Sequence, residues 1–316
     1  MFCPNCGNTL PENSRFCTAC GASLESGASA PYSSGVNVKN LADNPNIIKI
    51  NELGCFQVLE HQKDMSTNPS AAITAYFMQE MNCRKRQVLC NLNGNAVKIQ
   101  AGAMQWTAGN VTMSSGLKGA TDFFGKAIKS MATGESTAKP IYQGNGFVMF
   151  EPTYKHIILE DVSNWDSGMV LDDGLFLACD ANIKEEIVAR KNISSALLGG
   201  EGLFNLSLSG HGIAVFESTV PREELIEIVL DNDEVRIDGN MAVAWSKSLK
   251  FTVEKSTKSI IGSFASGEGL VNVYRGTGKI LMAPVAFGTL MNQNNSAKEP
   301  AKTSSGGLLG SVINSV

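Results

Sequence analysis

One pattern returns along this chain at a fixed interval, and it limits the possible folds more than any other feature. Gly144-Asn-Gly146-Phe-Val-Met-Phe-Glu-Pro152, Gly210-His-Gly212-Ile-Ala-Val-Phe-Glu-Ser218 and Gly276-Thr-Gly278-Lys-Ile-Leu-Met-Ala-Pro284 follow one another every 66 residues. Gly134-Glu135 recurs as Gly200-Glu201 and, one residue late, as Gly267-Glu268. Met169, Leu171, Asp172 and Ala178 recur 66 residues on as Val235, Ile237, Asp238 and Ala244. A fainter, earlier copy holds Val97-Lys-Ile99 followed by Gly102-Ala-Met104.

Within each copy the apolar period is two. Ile226, Ile228 and Leu230 alternate with Glu227 and Val229, and Leu249, Phe251 and Val253 alternate with Lys250 and Thr252. Alternation of this kind marks half-buried strands. The Gly-x-Gly pairs precede runs of β-formers, so they are read as tight hairpin turns needing positive φ. A phosphate-cradling loop is the rival reading, but such a loop opens a helix. The expected body, residues 47–291, is all-β: three β-sandwich-like repeats about a pseudo-threefold axis. One stretch departs from the pattern. Thr121-Asp122-Phe123-Phe124 to Met131 spaces its apolar residues as a helix, read as a cover over an open end of the sheets or as a gating lid.

Four of the eight cysteines fall at the start, as Cys3-Pro-Asn-Cys6 and Cys17-Thr-Ala-Cys20, each pair followed by glycine. Two intervening residues let both thiolates of one turn face one ion, and two such turns make a closed tetrahedral site. Cys3, Cys6, Cys17 and Cys20 are therefore the expected ligands of one structural Zn2+ per chain. Iron in the same sulfurs, disulfides and a redox dithiol are the competing readings, and zinc is preferred. A segment this short has almost no core, so the metal must supply most of its folding free energy. Residues 1–25 are read as a ribbon and 26–46 as a flexible linker, from the run Ser26-Gly-Ala-Ser-Ala-Pro-Tyr-Ser-Ser-Gly35. Residues 292–316 are read as a disordered tail.

Two resemblances attach to these motifs. Phe-Cys-Pro-Asn-Cys-Gly with Arg-Phe-Cys-Thr-Ala-Cys-Gly-Ala-Ser-Leu resembles the zinc-ribbon family, which implies an adaptor without naming a partner. Val97-Lys-Ile-Gln-Ala-Gly-Ala-Met104, Gly109-Asn-Val-Thr-Met113, the Gly-x-Gly pairs, Gly199-Gly-Glu-Gly-Leu-Phe204 and Met241-Ala-Val-Ala-Trp245 resemble the altered inheritance of mitochondria protein 24 family. That likeness implies a fold similar to the tryptophan RNA-binding attenuation protein, tripled in one chain. It implies no catalytic residues. Mitochondrial members of the family are tied to inner-membrane organisation.

The remaining chemistry is sparse. His61, His156 and His211 each lack a second ligand at metal-binding spacing. Cys179 lies in a strand-like run and reads as a small buried hydrophobe. Glu185-Glu186, Glu223-Glu224 and Asp231-Asn-Asp-Glu234 read as strand and loop ends facing water. Arg84-Lys85-Arg86 is the best nucleic-acid signal, but three charges neutralise only a few phosphates. A net charge of −4 argues against a chain devoted to wrapping DNA. No run reaches the roughly 18 apolar residues of a membrane span. The opening Met1-Phe2-Cys3-Pro4 carries no secretory or transit pattern, so a soluble, cytoplasmic protein is expected.

The expected function is a non-enzymatic scaffold or adaptor, in which the ribbon is tethered to a β module that binds protein partners or a membrane surface. An RNA-binding protein is the alternative, and a small ligand or lipid held between β repeats a weaker one. A homo-oligomer is compatible with each.

Overall fold

The computed structural model describes residues 9, 35–115, 139–189, 204–239, 241–255 and 270–285. Cys3, Cys6, Cys17 and Cys20, the helix expected near 121–131 and the tail 292–316 lie outside the described residues.

Among the described residues the first strand begins at Ile47. β1 (Ile47–Leu53) and β2 (Phe56–His61) form a hairpin, followed by helix α1 (Ala72–Glu80) and β3 (Arg86–Asn91). Next come β4 (Ala96–Ile99), β5 (Met104–Ser114) and β6 (Ile141–Phe150). The middle copy supplies β7 (His156–Asp161), β8 (Met169–Leu171), β9 (Phe176–Asp180), β10 (Lys184–Ala189), β11 (Phe204–Ser209) and β12 (Ile213–Ser218). The last supplies β13 (Ile226–Asp238), β14 (Ala242–Ser246), β15 (Lys250–Lys255) and β16 (Leu270–Met282). The described body is thus all-β apart from α1 and two 3-10 turns.

The sequence interval reappears in the strand register. Val97 stands opposite Tyr142, Met169 opposite Leu208, and Val235 opposite Tyr274. A bulge follows in each copy, between Met104 and Trp106, Phe176 and Ala178, and Ala242 and Ala244. An extra residue at one register position bends a strand locally, and the same bend is made in all three places.

The copies do not fold as separate sandwiches, which corrects that part of the expectation. They share two sheets. Nine strands run β1-β2-β3-β6-β4-β9-β12-β7 with β5 on β6, and seven run β10-β11-β8-β14-β16-β13 with β15 on β16. The boundary passes through the middle copy, because its strands pair with both neighbours: β9 with β4, and β8 with β14. A hairpin-closed unit would leave those edges bare, whereas sharing the strands satisfies their backbone groups.

The nine-stranded sheet curls on itself. Phe56 and Val58 from one end of the strand order meet Ile157 and Leu159 from the other in a single buried cluster with Val97, Val148, Ile213 and Val215. A second cluster joins the two sheets, packing Ile158, Phe176 and Phe216 against Met169, Leu171, Leu206, Leu208 and Leu281.

The Gly-x-Gly pairs are corners, not hairpin turns. Two of them lie inside the long strands β6 and β16, and the third separates β11 in one sheet from β12 in the other. Gly144 has φ 128°, and a Cβ there would lie 2.2 Å from the Asn110 carbonyl oxygen. Absence of a side chain lets the kinked strand stay paired with β5. Positive φ holds at every glycine of the three pairs except Gly146; the hairpin turn does not hold.

Part of the stretch read as linker is ordered against the body. Asn46 accepts the Lys63 N–H on its Oδ1 at 2.8 Å, and Leu41 packs beside Leu59, Leu89, Phe147 and Met149.

Candidate functional site

The richest constellation surrounds α1, an element that the alternation pattern gave no reason to expect. Its start is set by Asn68-Pro69-Ser70: the Ala71 N–H donates to Asn68 Oδ1 at 3.0 Å. The alanines at 71, 72 and 75 favour helix. Its end is a Schellman closure. Asn82 sits at φ 61°, its N–H reaches Gln79 O at 3.2 Å, and the Cys83 N–H reaches Met78 O at 2.8 Å. Asparagine tolerates this left-handed conformation better than other side-chain-bearing residues.

The same Asn82 anchors the helix to a buried ion pair. Arg86, 2% exposed, meets Glu60, 5% exposed, at 2.8 Å, and its Nη2 also donates to Asn82 Oδ1 at 2.9 Å. Arg84 reaches Glu60 Oε1 at 3.1 Å and Gln62 Oε1 at 2.9 Å. Lys85 meets Asp64 at 3.0 Å, and Tyr154 donates to the other oxygen of that carboxylate. The Tyr154 hydroxyl, with Lys85 behind it, holds the Asp64 carboxyl below its usual range. Each charge of the Arg84-Lys85-Arg86 run is thus committed to a carboxylate on β2 or just after it. A phosphate that drew Arg86 away would leave the buried Glu60 with Arg84 as its remaining cation, at a cost of up to about 3–5 kcal/mol.

His156 shares the cleft of about 350 Å3 between β1 and β7 with Glu60, Arg86 and Glu223. Burial first, and the Arg86 charge second, press its pKa down to about 4. The ring is neutral near neutral pH.

The outer face of α1 is different in kind. Ile73, Tyr76, Phe77 and Met81 recur at helical spacing and form one apolar stripe, exposed by 74%, 58%, 62% and 76%. The Tyr76 and Phe77 rings stack edge to face with centroids 5.4 Å apart. Thr74, Ala75 and Met78 line a cleft of about 180 Å3. No residue of α1 is buried, and the helix carries no acidic residue in its first turn and no basic one in its last.

Other candidates from the sequence are dispersed. His61 shares a hydrogen bond with Gln87 at 3.1 Å, and the His211 carbonyl accepts from Asn182 at 2.7 Å. Cys179 is fully buried and its thiol is pushed far up by burial. The acidic clusters do more than face water. Glu185 binds Lys98 at 3.2 Å and Lys139 at 2.8 Å, Glu186 binds Lys247 at 2.7 Å, and Glu234 binds Arg275 at 2.6 Å. Among the described residues no group of three or more His, Cys, Asp or Glu side chains is arranged to hold a metal. A cleft of about 200 Å3 between the second and third copies, lined by Leu175, Ala242, Val243 and Ala283, is small for an organic ligand.

The family model described as mitochondrial biogenesis AIM24 matches residues 79–285. The chain belongs to this family. A zinc-ribbon domain matches residues 2–24, a span that holds all four amino-terminal cysteines. An uncharacterised protein of Streptococcus pyogenes serotype M6 is 31% identical over 196 residues, covering 60% of this chain and 76% of the relative. A crystal structure of a protein from Streptococcus pyogenes, a structural-genomics target, aligns with a TM-score of 0.49 at 26% identity, over 66% of this chain and 92% of that one. The AIM24 match opens inside α1, so the β1–β2 hairpin and Ile73, Tyr76 and Phe77 precede it. No helix among the described residues is long and apolar enough to cross a membrane.

Proposed function

We propose that this protein is a non-enzymatic, cytoplasmic adaptor. Its amino-terminal ribbon is held by one structural Zn2+ on Cys3, Cys6, Cys17 and Cys20, and is tethered to a tripled β body set about a pseudo-threefold axis. The body binds a protein partner through α1. The observation that carries this reading is the stripe of Ile73, Tyr76, Phe77 and Met81. Exposed apolar residues at i, i+3 and i+4, here Ile73, Tyr76 and Phe77 with Met81 just past the helix end, match the anchors of helix-in-groove recognition, and a partner with an apolar groove fits them. The ligand chemistry fits zinc in the ribbon: four thiolates in two Cys-x-x-Cys turns close a tetrahedron with no open position for reaction.

The test is site-specific crosslinking. A photoreactive phenylalanine analogue at position 77 of the full chain should yield one discrete protein adduct in cells. Ile73→Ser should abolish that adduct while leaving the melting curve in place, since the side chain is mostly exposed. Sedimentation with vesicles of phosphatidylcholine and phosphatidylglycerol, lost in the same variant, would move the reading to a membrane surface. An adduct pattern indifferent to Ile73→Ser would overturn both.

A further inference from the structure

Two cysteines that are 35 positions apart in the chain touch in the fold. Cys55 is the second residue of the two-residue turn Gly54-Cys55 that joins β1 to β2, whose closing pair is Leu53 and Phe56. Cys90 lies in β3, opposite Phe56. The Cys90 and Cys55 sulfurs are 3.3 Å apart, closer than two sulfurs rest without interacting, and neither thiol is in a disulfide. Cys55 is 8% exposed and Cys90 is fully enclosed. No metal-binding group includes them, and no other function described above uses them.

From this geometry we infer that Cys55 and Cys90 are a dithiol modification site, which a hydroperoxide converts to an internal disulfide. Cys55 reacts first. It stands in the β1–β2 turn and keeps 8% of its surface exposed, whereas Cys90 is fully enclosed between two paired strands. Its sulfur, as thiolate, attacks one oxygen of hydrogen peroxide; the O–O bond breaks, and a sulfenic acid and water form after proton transfer. The Cys90 sulfur then attacks the Cys55 sulfur, the S–O bond breaks, and the departing hydroxide leaves as water with the Cys90 proton. Two thiols and one hydrogen peroxide give one disulfide and two waters, the thiols being oxidised and the peroxide reduced.

The bond would tie the β1–β2 turn to β3 and close the loop that contains α1. It would also alter the corner between the sheets. The Cys55 sulfur lies 4.0 Å from Asp180 Oδ1, and the other oxygen of Asp180 accepts the Ile213 N–H at 2.8 Å, next to Gly212. Oxidation withdraws the thiol proton that faces Asp180.

Treating the folded full-length protein with hydrogen peroxide, followed by blocking of free thiols and tryptic digestion without reductant, reads the site directly. Cleavage after Lys49 and Lys63 leaves Cys55 alone in one peptide, and cleavage after Arg86 and Lys98 leaves Cys90 alone in another. The expected product is these two peptides joined, two hydrogens lighter than their sum, together with an upward shift of Tm that dithiothreitol reverses. Cys55→Ser should lose both the joined peptide and the Tm shift. Cys90→Ser should do the same if it folds, and Cys55→Ser keeps the test valid if it does not. Recovery of both peptides blocked and unjoined, under peroxide that oxidises the exposed Cys83, would overturn the inference. A peroxide-induced Tm rise that persists in Cys55→Ser would overturn the assignment to this pair.

Discussion

Gly212 and Gly144 show at the scale of one residue how a corner is held. Gly212 has φ 142°, and a Cβ there would sit 2.8 Å from Asp180 Oδ2; at Gly144 the obstacle is backbone, the Asn110 carbonyl oxygen at 2.2 Å. Side chains swing aside more readily than paired backbone. Gly144→Ala is therefore expected to cost about 2 kcal/mol or more. Gly102→Ala, where φ is 84° and nothing lies within 4 Å, should cost only the left-handed backbone term of about 1 kcal/mol. Urea midpoints of the two variants check the order. His156 yields a second prediction. An unfolded histidine takes up its proton as pH falls through about 6.5, whereas the folded ring resists until about 4. In that window the unfolded state binds more protons, so stability present at pH 7 is lost as pH falls. The loss should be about 1–2 kcal/mol after allowing for the ring's partial exposure. In His156→Gln, unfolding free energies between pH 7 and 4 should fall less steeply than in the native chain; equal slopes would show that this ring does not govern the window.

At the scale of elements, legibility followed the range of the forces involved. Strands such as β13 and β15 lie where the alternation put them, because a half-buried strand writes its two faces into adjacent residues. Gly-x-Gly was legible as positive φ, which is local, but not as a corner, which depends on whether the next residues change partner strand. The division into sandwiches failed for the same reason: no local signal tells β9 to pair with β4 rather than close on its own copy. α1 was missed although Asn68-Pro69-Ser70 followed by alanines is a helix start; its apolar residues point outward, so they outline no buried face. The basic run shows the converse. Arg84, Lys85 and Arg86 look free in the sequence, and only the fold brings Glu60 and Asp64 to them.

For the molecule as a whole, the question is whether ribbon and body are one folding unit. The clusters that hold the body together, around Phe56, around Phe216 and around Trp245, are built from residues between Cys55 and Ala283. On the reading of ribbon and body as separate modules, the body's stability should not need the ribbon. The ribbon, in contrast, matches over residues 2–24 and has little to bury but its own turns. Zinc in the proposed site would supply about 10–16 kcal/mol to such a segment, so metal loss and unfolding would be the same event there. Cys6→Ser, or a strong chelator on the native chain, should therefore release one equivalent of zinc, measured colorimetrically, and render residues 1–24 sensitive to protease. The body's cooperative transition should keep its Tm. A Tm that drops by several degrees on zinc loss would mean that the ribbon packs on the β body, and the two would then have to be understood as a single binding surface and not as a module on a tether.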